Sequence, residues 1–269
     1  MKRLTHYPGC FGCGEANDAG LQLEVSWDGS AAHAELEPPG RYEGGPGVVH
    51  GGFAGMVADE VMALAAFEVA GRPAMTRRVE IDYRSPTLTE QPLRLVARPV
   101  EESERKVIVE LVATAAADDR VCFEARGVYV KVPIHAWADQ MVAQGRSVRR
   151  VNFEGGDPTN FFKWQMQGLQ EAFVPERLQR PVSVVLEISD VHPPVWTITA
   201  GDSLSVEQGD KPDADARWIS EFTGMHNFWD RTMSVEEIVS EGSVRIEGER
   251  AAVAELRGAL EYVAAAMRD

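Results

Sequence analysis

Residues able to do chemistry gather between positions 45 and 62, in "GPGVVHGGFAGMVADEVM". His50 is followed by Gly51 and Gly52, and nine residues after the histidine Asp59 and Glu60 interrupt an apolar run. Glycines at a helix start let another molecule approach the backbone, and the free N–H groups of a first turn carry partial positive charge. Such a turn can bind an anion or polarise a carbonyl whose oxygen turns negative in a transition state. A carboxylate further along the helix can serve as general base or nucleophile toward that carbonyl. A single acid in apolar surroundings is otherwise read as structural, because an unpaired buried charge is costly and is normally bonded or neutralised. The glycines at the helix start tilt the reading toward chemistry.

These residues need a helix to carry them. The pattern predicts one from about Gly51 to Ala70, stopped by Gly71-Arg72-Pro73. Phe53, Met56, Val57, Val61, Leu64 and Ala65 form an apolar stripe, and Ala54, Ala58, Met62, Ala63 and Ala66 extend it over most of the remaining surface. A helix apolar nearly all round is enclosed by its fold. Before it, "LQLEVSW" (21–27) and "AAHAELE" (31–37) alternate around the turn signal Asp28-Gly29. Residues 38–47 are rich in Pro and Gly and read as loop. After it come "MTRRVEIDYR", "QPLRLVARPV", "RKVIVELVATA" and "RVCFEARGVYVKV", all β-like. In the first of these, alternation sets Val79, Ile81 and Tyr83 opposite Arg78, Glu80 and Asp82. Strands, one helix, then consecutive strands predict an α+β fold in which an antiparallel sheet wraps a single helix.

Length and composition bound the rest. At 269 residues the chain has room for two domains, and 44% hydrophobic with 26% charged residues is ordinary for a globular protein. A net charge of −15 argues against a nucleic-acid partner, since phosphate tracking needs a basic surface. Residues 1–150 carry 17 Lys+Arg and 21 Asp+Glu, whereas 151–269 carry 10 and 21, a shift that fits two domains. The N-terminal "MKRLTHYPGC" lacks an apolar signal core, and Asp59, Glu60 and Glu68 break the most apolar stretch, so no membrane span is expected. Three cysteines cannot build a disulfide framework, which makes a reducing cytoplasm the expected location.

"CFGCGEANDAGLQLEV", "GPGVVHGGFAGMVADEVM" and "TRRVEIDYRSP" together resemble the hotdog-fold acyl-CoA thioesterases of the phenylacetyl-CoA thioesterase type, over about 10–132. The resemblance implies an acyl-CoA substrate and no cofactor. It makes Asp59 the general base or nucleophile and Gly51 the amide that polarises the thioester oxygen. Thr76 becomes the hydroxyl that helps hold water or the acid, and His50 the residue that orients the loop. Gly52 and Glu60 are then substrate-binding candidates, and Glu60 stays open as an alternative base. The chain departs from its relatives at Glu43-Gly44, where they often have a polar amide side chain. Spacing adds one inference of its own. Gly51 and Asp59 are eight residues apart, about 12 Å along one helix, too far to share one carbonyl. Two antiparallel helices across a two-fold axis would join them, so a homodimer or homotetramer with a shared site is expected.

Cys10 and Cys13 form a Cys-x-x-Cys that might recruit His6 or His33 to zinc, but no second pair exists; the sequence reads as a tight turn packed by sulfur, with no metal assigned. No Gly-x-Ser-x-Gly elbow and no glycine-rich dinucleotide fingerprint occur. His135, His192 and His226 are scattered and read as surface or packed residues. The pattern dissolves after Pro133 and restarts near 158, giving a hotdog domain at 1–133, a linker at 134–157 and a second domain at 158–269. In that second domain a helix is expected near 159–174, strands near 182–189 and 194–207, and a closing helix over about 250–267. Residues 158–264 resemble a sterol-carrier-protein domain, which implies an α/β sandwich with an apolar tunnel for lipid. Phe222, Met225, Phe228, Trp229, Met233, Ile238 and Val239 could line such a tunnel or simply form core. The leading reading is an acyl-CoA thioesterase fused to a lipid-binding domain. Its alternative is a non-catalytic acyl-CoA or lipid carrier, and a hotdog hydratase is weaker because the usual Asp and His pairing on the helix is absent.

Overall fold

A computed structural model describes residues 1–5, 8–132, 157–229 and 233–260. It divides into two compact units, Met1–Val132 and Pro133–Asp269. Apart from Asp157, the expected linker at 134–157 lies outside the described residues, as do His6, His135 and the end of the expected closing helix.

In the first unit, β1 (Lys2–Leu4), β2 (Val25–Trp27) and β3 (Ala32–Leu36) precede a short ribbon of β4 (Glu43–Gly45) and β5 (Val48–Val49). Helix α1 spans Gly51–Ala70, and β6 (Ala74–Tyr83), β7 (Leu93–Glu102), β8 (Lys106–Ala115) and β9 (Val121–Lys131) follow. The helix bounds agree with those expected from sequence. The strand expected over 21–27 begins only at Val25, because Gln22 adopts a left-handed conformation (φ 49°) and interrupts the extended chain.

One antiparallel sheet runs in the order β1-β2-β3-β7-β8-β9-β6. Helix α1 packs against β3, β6, β7, β8 and β9 of this sheet. Ala54, Val57, Ala58, Val61, Met62, Leu64, Ala65 and Ala66 are all buried on it. The alanines keep the helix surface thin, so the sheet can close around several sides of it. Inward residues of β8 and β9, such as Val107, Val109, Leu111, Phe123 and Tyr129, complete the core.

The last strand of the sheet holds one irregularity that matters for the site. Thr76 pairs with Tyr129 and Arg78 with Val128, so Arg77 is an extra residue in a β-bulge. Strict alternation would place Thr76 with Arg78, Glu80 and Asp82, on the face away from the helix. The bulge reverses that parity, and Thr76 joins Val79, Ile81 and Tyr83 on the helix side. Two positions before Tyr129, Gly127 occupies the same face of β9, and a Cβ built there would collide with the Tyr129 ring and hydroxyl. The tyrosine thus lies back along its own strand over a residue that has no side chain.

The second unit contains α2 (Thr159–Glu171), β10 (Val182–Ile188), β11 (Val195–Ala200), β12 (Leu204–Gln208), β13 (Ala216–Ser220), α3 (Phe222–Trp229), α4 (Val235–Ser240), β14 (Val244–Gly248) and α5 (Arg250–Gly258). Its five-stranded sheet has the order β12-β11-β10-β13-β14, with β10 parallel to β13 and every other pair antiparallel. Phe222, Met225, Phe228, Trp229 and Ile238 are fully buried, and His226 is buried with them. The Phe228 ring lies 4.8 Å from Trp218 and 4.9 Å from Trp229. Among the described residues no helix is long and apolar enough to cross a membrane.

The packing at Gly127 gives a direct expectation. Gly127→Ala should lower the urea midpoint by the equivalent of about 1–3 kcal/mol, the usual cost of overpacking. Gly45→Ala, which meets nothing within 4 Å, should leave the midpoint nearly unchanged. Equal midpoints for the two variants would contradict the placement of Tyr129.

Candidate active site

The N-terminus of α1 is fixed from several directions. The Val49 amide donates to the Thr87 carbonyl at 2.9 Å, and the His50 amide donates to the Tyr42 carbonyl at 2.8 Å. The Tyr42 ring stacks on Phe53 with centroids 4.2 Å apart. His50 is the N-cap, and its Nδ1 accepts from the Gly52 amide at 2.9 Å. Accepting at Nδ1 requires the imidazole proton to sit on Nε2. The side chain therefore satisfies one orphan donor of the first turn and orients the loop. Gly51, the first helical residue, has no acceptor for its amide among the described residues. The Tyr83 hydroxyl donates to the Gly51 carbonyl at 2.7 Å, and a Cβ on Gly51 would press on that hydroxyl at 3.2 Å. The strand bearing Tyr83 thereby clamps the helix start.

Two turns further along, half-buried Asp59 points toward the inner face of β6 and β9. The Thr76 hydroxyl donates to its Oδ1 at 3.0 Å and approaches Oδ2 at 3.3 Å. The Tyr129 hydroxyl also donates to Oδ1 at 3.0 Å and lies 3.3 Å from the Asp59 carbonyl oxygen. Burial, and then the charge of Asp59 beside it, push the Tyr129 phenol above its ordinary range, so it stays protonated and remains a donor. With both hydroxyls converging on Oδ1, lone pairs of Oδ2 are left for another donor such as water. The structure thus brings Asp59 and Thr76 together, as the sequence suggested, and adds Tyr129. The tyrosine was overlooked, although an inward tyrosine on a central strand must find a partner for its hydroxyl. The Gly127-x-Tyr129 spacing was the available signal.

His50 and Gly52 meet at the helix start, and Gly51 sits beside them; Asp59 and Thr76 meet elsewhere. Since α1 is continuous from Gly51 to Ala70, the two clusters are separated by about 12 Å of helix.

Glu60 goes in a different direction, as successive helical residues diverge by about 100°. It faces the turn at 10–14, where the Cys10 Sγ lies 3.7 and 3.6 Å from Oε1 and Oε2. Cys10, Cys13 and Glu60 each present a donor atom, and these atoms all lie within 4.8 Å of one another. A hydrogen bond with Cys10, then burial, then the charge of Glu60 push the Cys13 thiol far above its ordinary value. His33, weighed from sequence as a possible companion of these cysteines, instead bonds Asp28 through Nε2 at 2.7 Å. The placement of Glu60 separates it from the cluster around Asp59.

Comparison with known proteins bears on this geometry. The Thioesterase superfamily model matches residues 46–123. Among solved structures, a thioesterase superfamily protein is 24% identical, with 46% of this chain and 61% of that protein covered and a TM-score of 0.43. The chain thus spans about three fifths of that protein's length. Zebra fish thioesterase superfamily member 2 is 16% identical, with 44% of this chain and 90% of its own covered and a TM-score of 0.41. A Streptococcus mutans protein solved bound to acetyl CoA is 17% identical, with 41% and 88% covered and a TM-score of 0.39. No curated protein matches the chain. Residues 46–123, which carry the helix with Asp59 and the bulged strand with Thr76, form a thioesterase-superfamily domain of the hotdog fold.

Proposed function

We propose that this protein hydrolyses acyl-CoA thioesters, with Asp59 as general base or nucleophile. The observation that carries the reading is the Asp59 carboxylate itself, held by two hydroxyls on a helix whose other two acids, Glu60 and Glu68, meet Cys10 and Lys2 instead. Thr76 and Tyr129 fix the orientation of the carboxylate, and they leave Oδ2 able to take a proton from water or to attack a carbonyl carbon. The Gly51 amide supplies the donor for the developing oxyanion, reinforced by the positive end of α1. In the base route, water adds to the thioester carbon while its proton passes to Asp59. The tetrahedral intermediate collapses with cleavage of the C–S bond, and the departing thiolate takes up a proton. Glu60, turned to the cysteine side of the helix, is less suited to this role than Asp59.

The active site is proposed to be shared between two copies. A carbonyl is about 1.2 Å long, so a donor and a base each about 3 Å from its ends span roughly 7 Å. The helical distance between Gly51 and Asp59 exceeds that. One copy's Gly51 paired with the other's Asp59 removes the mismatch. The edge of the sheet supports this arrangement: β6 ends the strand order, is ten residues long, and exposes Met75 and Tyr83. Long open edges are normally covered. Antiparallel pairing of two β6 strands centred on Val79 would set Arg78 of one copy opposite Glu80 of the other.

The second unit is proposed to bind a lipid. Support comes from its resemblance to sterol-carrier domains and from the concentration of aromatic and methionine side chains over 222–238. In the present conformation those side chains pack on one another, so a ligand would enter by displacing part of α3 or α4. The carrier alternative, in which both units only bind, differs from the leading reading in a single observable, thiol release.

Three outcomes check these proposals. Asp59→Asn should reduce thiol release from acyl-CoA by about 10²-fold or more with unchanged far-UV circular dichroism; full activity would remove the carboxylate from the mechanism. Light scattering should give a dimer or tetramer, and a monomer that still turns over when dilute would contradict the shared site. Titration of the full chain with a fluorescent fatty acid should show saturable binding that survives Asp59→Asn. Loss of that binding in the Asp59 variant would assign the lipid to the first unit instead.

A further inference from the structure

The cluster formed by Cys10, Cys13 and Glu60 is not used by the chemistry above. The cysteines lie on a turn whose backbone is tightly closed. The Gly14 amide donates to the Cys10 carbonyl at 3.0 Å, and the Ala16 amide donates to the Pro8 carbonyl at 3.0 Å. A Cβ on Gly14 would collide with the backbone of Pro8 and Cys10. The turn is also pressed onto α1, since a Cβ on Gly12 would collide with the Glu60 carboxylate. The backbone approach at Gly14 requires glycine, and Gly12 leaves room for the Glu60 carboxylate to lie against the turn, so two sulfurs are held beside one carboxylate. Cys13 is buried, while Cys10 and Glu60 are half-buried. Lys2 and Arg3, the nearest cations in sequence, pair with Glu68 and Glu15.

We propose that Cys10, Cys13 and Glu60 form a binding site for a thiophilic divalent cation, with zinc the best fit. Two thiolates spaced Cys-x-x-Cys are suited to one ion, and a carboxylate oxygen is an accepted third donor. Zinc bonds sulfur at about 2.3 Å and carboxylate oxygen at about 2.0 Å. Tetrahedral angles then set sulfur and oxygen about 3.5 Å apart and the two sulfurs about 3.8 Å apart. The 3.6 and 3.7 Å separations between Cys10 and Glu60 already match, and the 4.8 Å limit on the whole cluster requires only small side-chain rotations. Among the described residues three protein donors converge, and a water or a further side chain would complete four-coordination. Binding releases the two thiol protons to solvent, and the resulting site carries a net charge of −1 from two thiolates, one carboxylate and the dication. Its effect would be to clamp the N-terminal loop onto α1 one residue from Asp59. This explains why Glu60 stands next to Asp59 without joining it, and it supplies the donor that the two cysteines lack in sequence.

Cobalt(II) added to the full reduced chain is the test, because thiolate–cobalt charge transfer absorbs in the near ultraviolet and reports sulfur ligation directly. The site predicts a band that saturates at one cobalt per chain and is displaced by zinc. Cys10→Ser/Cys13→Ser should abolish it, Glu60→Gln should weaken affinity by at least about 10-fold, as loss of even an outer-shell partner does, and Cys122→Ala should leave it intact. A native-chain measurement guards against misfolded variants: one equivalent of zinc should protect Cys10 from alkylation, read by mass spectrometry. Absence of the band at saturating cobalt, its persistence in the double variant, its loss in Cys122→Ala, or unprotected Cys10 would each overturn the site. A chain that takes up no cobalt after reduction and forms a Cys10–Cys13 disulfide on exposure to an oxidant would do the same.

Discussion

A carboxylate inside an apolar helix is the constraint around which the first unit is arranged. Asp59 could be paired with a cation or left to water, but it is instead held and directed by the hydroxyls of Thr76 and Tyr129. Each hydroxyl has a structural cost elsewhere. Thr76 reaches the helix side only because Arg77 is bulged out of register. Tyr129 reaches Asp59 only because Gly127 has no side chain to block its ring. Two local departures from regular β structure therefore serve one carboxylate. Such departures are the usual mark of a site rather than of a core.

The same helix carries three separate arrangements at different angles and heights. At its start, His50 caps the Gly52 amide, and the Gly51 amide has no acceptor among the described residues. Two turns on, Asp59 faces the strands. One residue later, Glu60 faces the cysteine turn. A helix enclosed by a sheet is well suited to this, since its orientation is fixed by the buried alanines and valines on which the sheet closes. Positions fixed on a rigid element can be held to the tolerance that catalysis or metal ligation needs.

Much of this was legible from sequence because the helix is long and its signals are local. Gly51–Ala70 was marked by glycines at one end and Gly71-Arg72-Pro73 at the other, and the strands after it are regular in their alternation. Asp59 and Thr76 were found through a family resemblance. Alternation alone would have put Thr76 on the wrong face, since a bulge leaves no trace in a two-residue period. Tyr129 was missed because its role depends on register with β6, a contact between residues 53 positions apart in sequence that spacing does not encode. The direction of Glu60, an alternative base or substrate-binding candidate in the sequence, was not legible for a related reason: neighbours on a helix diverge by about 100°, and only the fold shows that the second acid meets Cys10. In the second unit, only the strand near 182–189 followed directly from an apolar run; the stretch expected over 194–207 is divided into β11 and β12 at Gly201-Asp202-Ser203, β13 and β14 were not placed, and the parallel pairing of β10 with β13 depends on long-range topology.

The most direct test of the shared carboxylate site is a crystal structure of the Asp59→Asn chain with an unhydrolysed acyl-CoA bound. The account predicts the thioester oxygen within about 3 Å of the Gly51 amide of one copy, a hydrogen-bonding distance, with its carbon facing residue 59 of the other copy. A thioester lying away from both groups, or one that meets Gly51 and residue 59 of the same chain, would contradict it.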